Sequence, residues 1–165
     1  MNIATERHGP DVVVRVAGPS DARAIAALRA VWHGQTAADH SFETRMAGWL
    51  AAEGERRTTW LAMLDGVSVG MASLFEYRRM PWPARPDSRW GYVSNMFVAP
   101  EHRNRGIGSA LLSTLIATAQ ERGYARLVVS PSVRAIEFYR RAGFRLIDDA
   151  ADADALLVRS IPDGG

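Results

Sequence analysis

Cysteine and lysine are both missing from this 165-residue chain. Without cysteine there is no disulfide, no thiolate nucleophile and no cysteine-based metal site. Without lysine there is no P-loop lysine and no Schiff-base chemistry, and all 20 basic residues are arginine. Long apolar runs are lacking as well. No window approaches the ~18 apolar residues of a membrane span, so no membrane partner is expected. The opening residues MNIATERHGPD are polar and acidic where a secretory leader needs an apolar stretch, and the expected location is cytoplasmic. The formal net charge is only +2, with arginines scattered rather than gathered in a stripe, which argues against a nucleic-acid groove. The histidines form no H-x-x-x-H pair, and the acidic run Asp148–Asp154 lacks the glycine and closing glutamate of a calcium loop. No metal is expected.

What is present suits a globular protein: 47% apolar and 23% charged residues. The length predicts one domain over residues 1–165, with 1–10 and 162–165 as flexible ends. Val12–Val16 reads as a strand. A helix follows from Pro19-Ser20-Asp21, with Ile25, Leu28 and Trp32 at helical spacing and Gly34 as its stop. Ser41 is the expected cap of a second helix that buries Phe42, Met46, Trp49 and Leu50. Thr59–Leu64 and Val67–Phe75, joined by Asp65-Gly66, predict a hairpin with a tight primed turn.

Arg78–Arg89 is proline- and arginine-rich and reads as a long loop. Trp90–Val98 reads as a strand, and Ile107 to Ala119 as an amphipathic helix closed by Gly123. Leu127–Ser130 is a short strand parallel to the previous one, because a helix connects them. Val133–Arg141 is a helix ended by Gly143, and Phe144–Ile147 and Ala155–Ser160 are closing strands around Asp148–Asp154. The sum is an α/β chain with a mixed sheet covered by helices.

The chemistry concentrates between Asn95 and Ser109. An apolar strand stops at Pro100, a basic turn follows, and Gly106 and Gly108 open a helix. Backbone N–H groups and the positive end of a helix dipole then converge beside Arg103 and Arg105, which is the physics of a phosphate cradle. A dinucleotide fingerprint fails because Leu111 stands where G-x-G-x-x-G needs a small residue, and a Walker loop fails for want of lysine. The remaining pattern, Arg103-x-x-Gly106-x-Gly108, resembles the pyrophosphate loop of the GNAT superfamily of N-acetyltransferases. Ala135-Ile136-Glu137-Phe138-Tyr139-Arg140-Arg141-Ala142-Gly143-Phe144 resembles a second segment of that family, and Val14–Trp32 its opening strand and helix.

The resemblance implies a mostly antiparallel mixed sheet whose parallel fourth and fifth strands splay apart, with helices on both faces. It implies acetyl-CoA as cosubstrate and a small-molecule or peptide amine as acceptor, and leaves a homodimer open as the assembly. By position, the backbone of Phe97 and Val98 would bind the pantetheine arm. Arg103, Asn104, Arg105, Gly106, Ile107, Gly108 and Ser109 would wrap the pyrophosphate. Ser132 stands where the family often has a cofactor-contacting asparagine. Tyr139 matches the tyrosine that serves the departing sulfur as catalytic acid; its other reading is packing on Phe144. A phenol near pKa ~10 facing a thiol near ~8.5 makes full proton transfer uphill by about 2 kcal/mol, so hydrogen bonding to the leaving thiolate competes with protonation.

An alkyl amine with pKa near ~10.4 faces a deficit of about 4.6 kcal/mol for its neutral form at pH 7. No carboxylate lies between Trp90 and Val98 to help. Glu76, Asp39, His33, His40, or a water held by Ser94 or Asn95 stay open as the base, each equally readable as a surface group. Acceptor choice is expected to lie with the two N-terminal helices and the Arg78–Arg89 loop. A non-catalytic acyl-CoA-binding module, and transfer of a different acyl group, stay open as alternatives.

Overall fold

The computed structural model describes residues 6–7, 12–147 and 156–162. Among these residues eight strands hydrogen-bond in the order β1-β2-β3-β4-β5-β6-β8-β7. They are β1 (Glu6–Arg7), β2 (Val12–Val16), β3 (Arg57–Leu64), β4 (Val67–Arg78), β5 (Arg89–Val98), β6 (Arg126–Val129), β7 (Arg145–Leu146) and β8 (Leu157–Ser160). Four helices join them: α1 (Ala22–Trp32), α2 (His40–Glu53), α3 (Ile107–Glu121) and α4 (Ile136–Arg141). The chain divides into two compact units, Met1–Ser73 with Asn95–Thr114, and Leu74–Ser94 with Leu115–Gly165.

In the first unit β2 runs antiparallel to β3, with Val14 opposite Ala62. Asp65 and Gly66 both take positive φ, 49° and 79°, which is the primed turn that matches strand twist and closes the expected hairpin. β1 pairs with β2 through Glu6 and Arg7, inside a segment read from sequence as a flexible end. The rest of residues 1–11 and the closing 163–165 lie outside the described residues, as does the Asp148–Asp154 loop.

Successive strand side chains point to opposite faces. Met71 joins Ile25, Leu28, Met46, Leu50, Leu61 and Phe97 in one buried cluster beneath α1 and α2. Its neighbour Gly70 faces the other way: a Cβ there would lie 3.3 Å from Leu111 and 3.4 Å from Ile107 of α3. Helices therefore cover both faces. Burying a side chain such as Leu28 of α1 contributes about 1.5–3 kcal/mol, so the apolar spacing of these helices is what docks them.

Two local expectations need correction. The cap of α2 is Asp39, not Ser41; the Asp39 carboxylate accepts the Phe42 N–H at 2.7 Å, so the helix begins at His40. Trp49 is 39% exposed rather than core, because Met46 and Leu50 alone define the buried stripe and Trp49 sits at its flank under the Arg57 guanidinium. Trp32 is likewise exposed on one side, its ring stacked on Phe97 at 5.1 Å. The start of α1 is braced by Asp21, which accepts two hydrogen bonds from Arg15 (3.0 and 2.7 Å) and one from the Gly18 N–H.

In the second unit β5 pairs in parallel with β6, Gly91–Val93 against Leu127–Val129, and β6 pairs antiparallel with β8. Gly123 ends α3 at φ 65°. The fourth helix is shorter than its sequence reading, since Val133–Ala135 is a 3-10 turn and α begins at Ile136. The Arg78–Arg89 segment is a loop closed at its base by the Arg79 N–H donating to the Ser88 carbonyl at 3.0 Å. It borders an open hollow of about 470 Å³ together with Tyr77, Trp90 and Arg126.

Candidate active site

β5 does not stay regular. Its registered pairing with β6 covers Gly91–Val93, and two residues later Asn95 takes φ 52°. That is left-handed backbone, which asparagine tolerates better than most residues. The strand then continues through Phe97, which is buried, and Val98, which is half-buried. Ala99 donates to the Val69 carbonyl at 2.9 Å, and a 3-10 turn at Pro100–His102 carries the chain off the sheet.

The bend between that turn and α3 holds most of the residues expected to form the phosphate cradle. Asn104 (φ 59°) and Gly106 (φ 78°) both adopt left-handed backbone, which swings the chain into the first turn of α3. Asn104, Arg105, Gly106 and Ser109 are exposed, whereas Ile107 is buried and pins the helix start to the core. A Cβ built on Gly106 meets nothing within 4 Å, so the bend is open. The first N–H groups of any helix lack intrahelical partners. No acidic side chain in the first turn of α3 offsets the positive dipole end. Arg103 turns back: its Nε donates to the Val98 carbonyl at 3.0 Å and its guanidinium carbon lies 5.7 Å from the Phe97 ring centre. It braces the bend against β5, while Arg105 reaches solvent.

Ser132 and Tyr139 belong to the second unit. Ser132 is exposed and starts the 3-10 turn before α4, its carbonyl accepting from the Ala135 N–H at 2.8 Å. Tyr139 is buried, edge-on to Phe138 at 5.0 Å and to Phe144 at 5.4 Å. Burial pushes its hydroxyl well above the ordinary phenol range, and the neighbouring Tyr92 adds to this. The group stays a protonated donor throughout the neutral range.

Glu76, open from sequence as a base or a surface carboxylate, is neither exposed nor idle. It is buried, accepts the Tyr124 hydroxyl at 2.7 Å and Arg78 Nε at 2.6 Å, and has Arg89 at 3.9 Å. Burial opposes its ionisation, but the bonds from Arg78 and Tyr124 and the charges of Arg78 and Arg89 outweigh this and hold its pKa low. A carboxylate so satisfied is a poor proton acceptor. Asp39 is committed to its helix cap, and His40 is exposed 3.8 Å from Glu43. Asn95 accepts from Arg29 Nη1 at 3.1 Å.

A cavity of about 370 Å³ opens in the first unit, walled by α1 and α2 and floored by β3, β4 and Asn95. Sequence reasoning assigned Phe42 and Met46 to core packing and did not single out Arg29, Arg45, Thr59 or Ser73. Arginine on an amphipathic helix reads as solvated surface, and only the strand positions reveal what it faces. Among the described residues no cluster of histidine and acidic side chains is arranged to hold a metal, and no helix is long and apolar enough to cross a membrane.

The model of the acetyltransferase (GNAT) family matches residues 23–144, which spans α1 through Phe144 and includes the open bend and Tyr139. The chain belongs to the GNAT family of acetyltransferases. This GNAT chain is 27% identical over 146 residues to the uncharacterized N-acetyltransferase YafP of Escherichia coli K12, covering 83% of each. Its fold is similar to an acetyltransferase of the family from Streptococcus pneumoniae, with a TM-score of 0.70 and 22% identity over 92% of this chain and 100% of that one. It is also similar to YncA of Salmonella typhimurium, a structure holding acetyl-CoA, at TM-score 0.66 and 21% identity over 94% and 96% of the two chains. Family and relatives make the protein an N-acetyltransferase with the mixed sheet of that fold.

Proposed function

We propose that this GNAT protein transfers the acetyl group of acetyl-CoA to a primary amine by direct attack in a ternary complex. The observation that carries the reading is the bend at Arg103–Ser109: it is open at Gly106, leads straight into α3 and meets no acidic side chain in the helix's first turn. The pyrophosphate is held there, chiefly by the N–H groups of Asn104 to Ser109, with Arg105 adding charge from the solvent side. Arg103 acts by bracing the bend, in keeping with its bond to the Val98 carbonyl. The pantetheine arm lies along the main chain of Phe97 and Val98, and Ser132 contacts the cofactor.

In the reaction the acceptor's neutral nitrogen attacks the thioester carbonyl carbon. A backbone N–H near Val98 stabilises the developing oxyanion. The C–S bond then breaks, the sulfur leaves as thiolate, and the nitrogen loses its proton to solvent. Tyr139 hydrogen-bonds the thiolate. Its raised pKa supports that role over complete proton transfer, since a buried phenol holds its proton more tightly than a thiol does. An acetyl-cysteine intermediate is impossible in a chain without cysteine.

Calorimetric titration with coenzyme A, followed by thiol release from acetyl-CoA with a panel of amines, tests the reading. Binding together with amine-dependent release is expected. No affinity for coenzyme A overturns it, and binding without release from any amine leaves the non-catalytic module as the function.

A further inference from the structure

The 370 Å³ cavity of the first unit has an unusual electrostatic composition. Its walls are mostly apolar: Phe42, Met46 and Trp49 from α2, and Met71 from β4. Two arginines, Arg29 and Arg45, line it, and no acidic residue does. Among the described residues neither arginine is paired with a carboxylate. Arg29 gives one bond to the neutral Asn95 amide and stacks on Trp32 at 5.4 Å, while Arg45 stacks on Phe42 at 5.4 Å. A guanidinium has five donors, so most of theirs have no protein partner among the described residues. On the floor, the buried hydroxyls of Thr59 and Ser73 share one hydrogen bond of 2.9 Å. Two hydroxyl protons and one bond between them leave one proton to donate to a ligand.

We propose, resting on the acetyl-transfer reading, that this cavity is the acceptor subsite and that it selects primary amines bearing a carboxylate beside an apolar or aromatic body. The carboxylate binds Arg29 and Arg45, the geometry for which guanidinium forks are suited. The apolar body lies against Phe42, Met46, Trp49 and Met71. A polyamine meets like charge here, and a phosphosugar leaves its hydroxyls unmatched on apolar walls. The arrangement also answers the missing base. Two guanidiniums against one carboxylate leave a net positive charge, which disfavours the ammonium form of the acceptor and raises its reactive neutral fraction.

The test uses thiol release from acetyl-CoA with L-methionine, L-phenylalanine and L-tryptophan, each against its own amide, and with spermidine and glucosamine 6-phosphate. A preference in kcat/KM of about tenfold or more for each free acid over its amide is expected. Arg29→Gln and Arg45→Gln should each abolish that preference by raising KM for the acid, with coenzyme A affinity by calorimetry unchanged. Arg45 is exposed, so its variant remains informative if Arg29→Gln fails to fold. Arg23→Gln, a charge removed outside the cavity, should keep the preference. Amides turned over as well as acids, or spermidine or glucosamine 6-phosphate preferred, overturns the proposal and leaves acetyl transfer standing. Coenzyme A binding with no turnover of any carboxylate acceptor overturns it too. Absence of coenzyme A binding sinks the acetyl-transfer reading itself.

Discussion

Replacing Tyr139 by phenylalanine removes one oxygen atom and little packing. The ring keeps its edge contacts with Phe138 and Phe144, at 5.0 and 5.4 Å, so stability should change by about 1 kcal/mol or less. The proposed role predicts a larger effect on catalysis. An ordinary phenol at ~10 facing a thiol at ~8.5 already makes complete proton transfer uphill by about 2 kcal/mol. Burial raises Tyr139 further, so the gap widens, and in the proposed role the hydroxyl holds its proton toward the thiolate. A hydrogen bond to a charged acceptor contributes about 1.5–3 kcal/mol, which is a factor of roughly 10–150 in kcat. KM for acetyl-CoA should change little. Thiol release read with an aromatic disulfide reagent measures this cleanly, because the protein has no cysteine to react. The raised pKa also means that the wild-type rate has no descending limb from this phenol below about pH 10. A limb near pH 8–9 that vanishes in Tyr139→Phe would refute the argument from burial. Unchanged kcat in the variant would refute the hydrogen bond.

Other expectations concern the scaffold and the bend. Glu76→Ala removes the acceptor of the buried Tyr124 hydroxyl and should cost about 2–4 kcal/mol in urea unfolding, against about 1 kcal/mol for Tyr124→Phe. Because the Glu76 pKa is held low in the fold, its stabilisation is complete above the unfolded value and is lost as pH falls through the folded one. The stability gap between wild type and Glu76→Gln should therefore shrink from about pH 6 toward about pH 3 in acid titrations. Gly91→Ala places a methyl 2.5 Å from Leu74 and 2.8 Å from Leu127, and overpacking of about 1–3 kcal/mol should lower Tm. Gly106→Ala meets open space but strains a φ of 78° by about 1–2 kcal/mol, so coenzyme A affinity should fall in calorimetry while most stability survives.

Much of this chain declares itself through local rules. Asp65-Gly66 is a turn because few other dipeptides accept two positive φ angles, and the apolar spacing from Ile107 to Ala119 suits a helix and no other element. The open bend was legible for the same reason: Gly106 and a helix start are local features. Boundaries were less so. Asp39, two residues before Ser41, is the cap because its carboxylate accepts the Phe42 N–H.

Glu76 shows where local reading ends. Nothing in Leu74-Phe75-Glu76-Tyr77 distinguishes a solvated carboxylate from one anchoring Tyr124, 48 residues away. The same holds for Arg29 and Arg45, which become cavity walls only once α1 and α2 settle over β3 and β4. Sequence alone determined most of the elements, the absence of covalent-thiol chemistry and the glycine-opened bend, since each depends on residues adjacent in the chain. Tertiary structure alone decided which side chains are buried, which charges stay unneutralised and which phenols burial pushes above their ordinary range. Those properties depend on what surrounds a group in space, and residues far apart along the chain supply those surroundings.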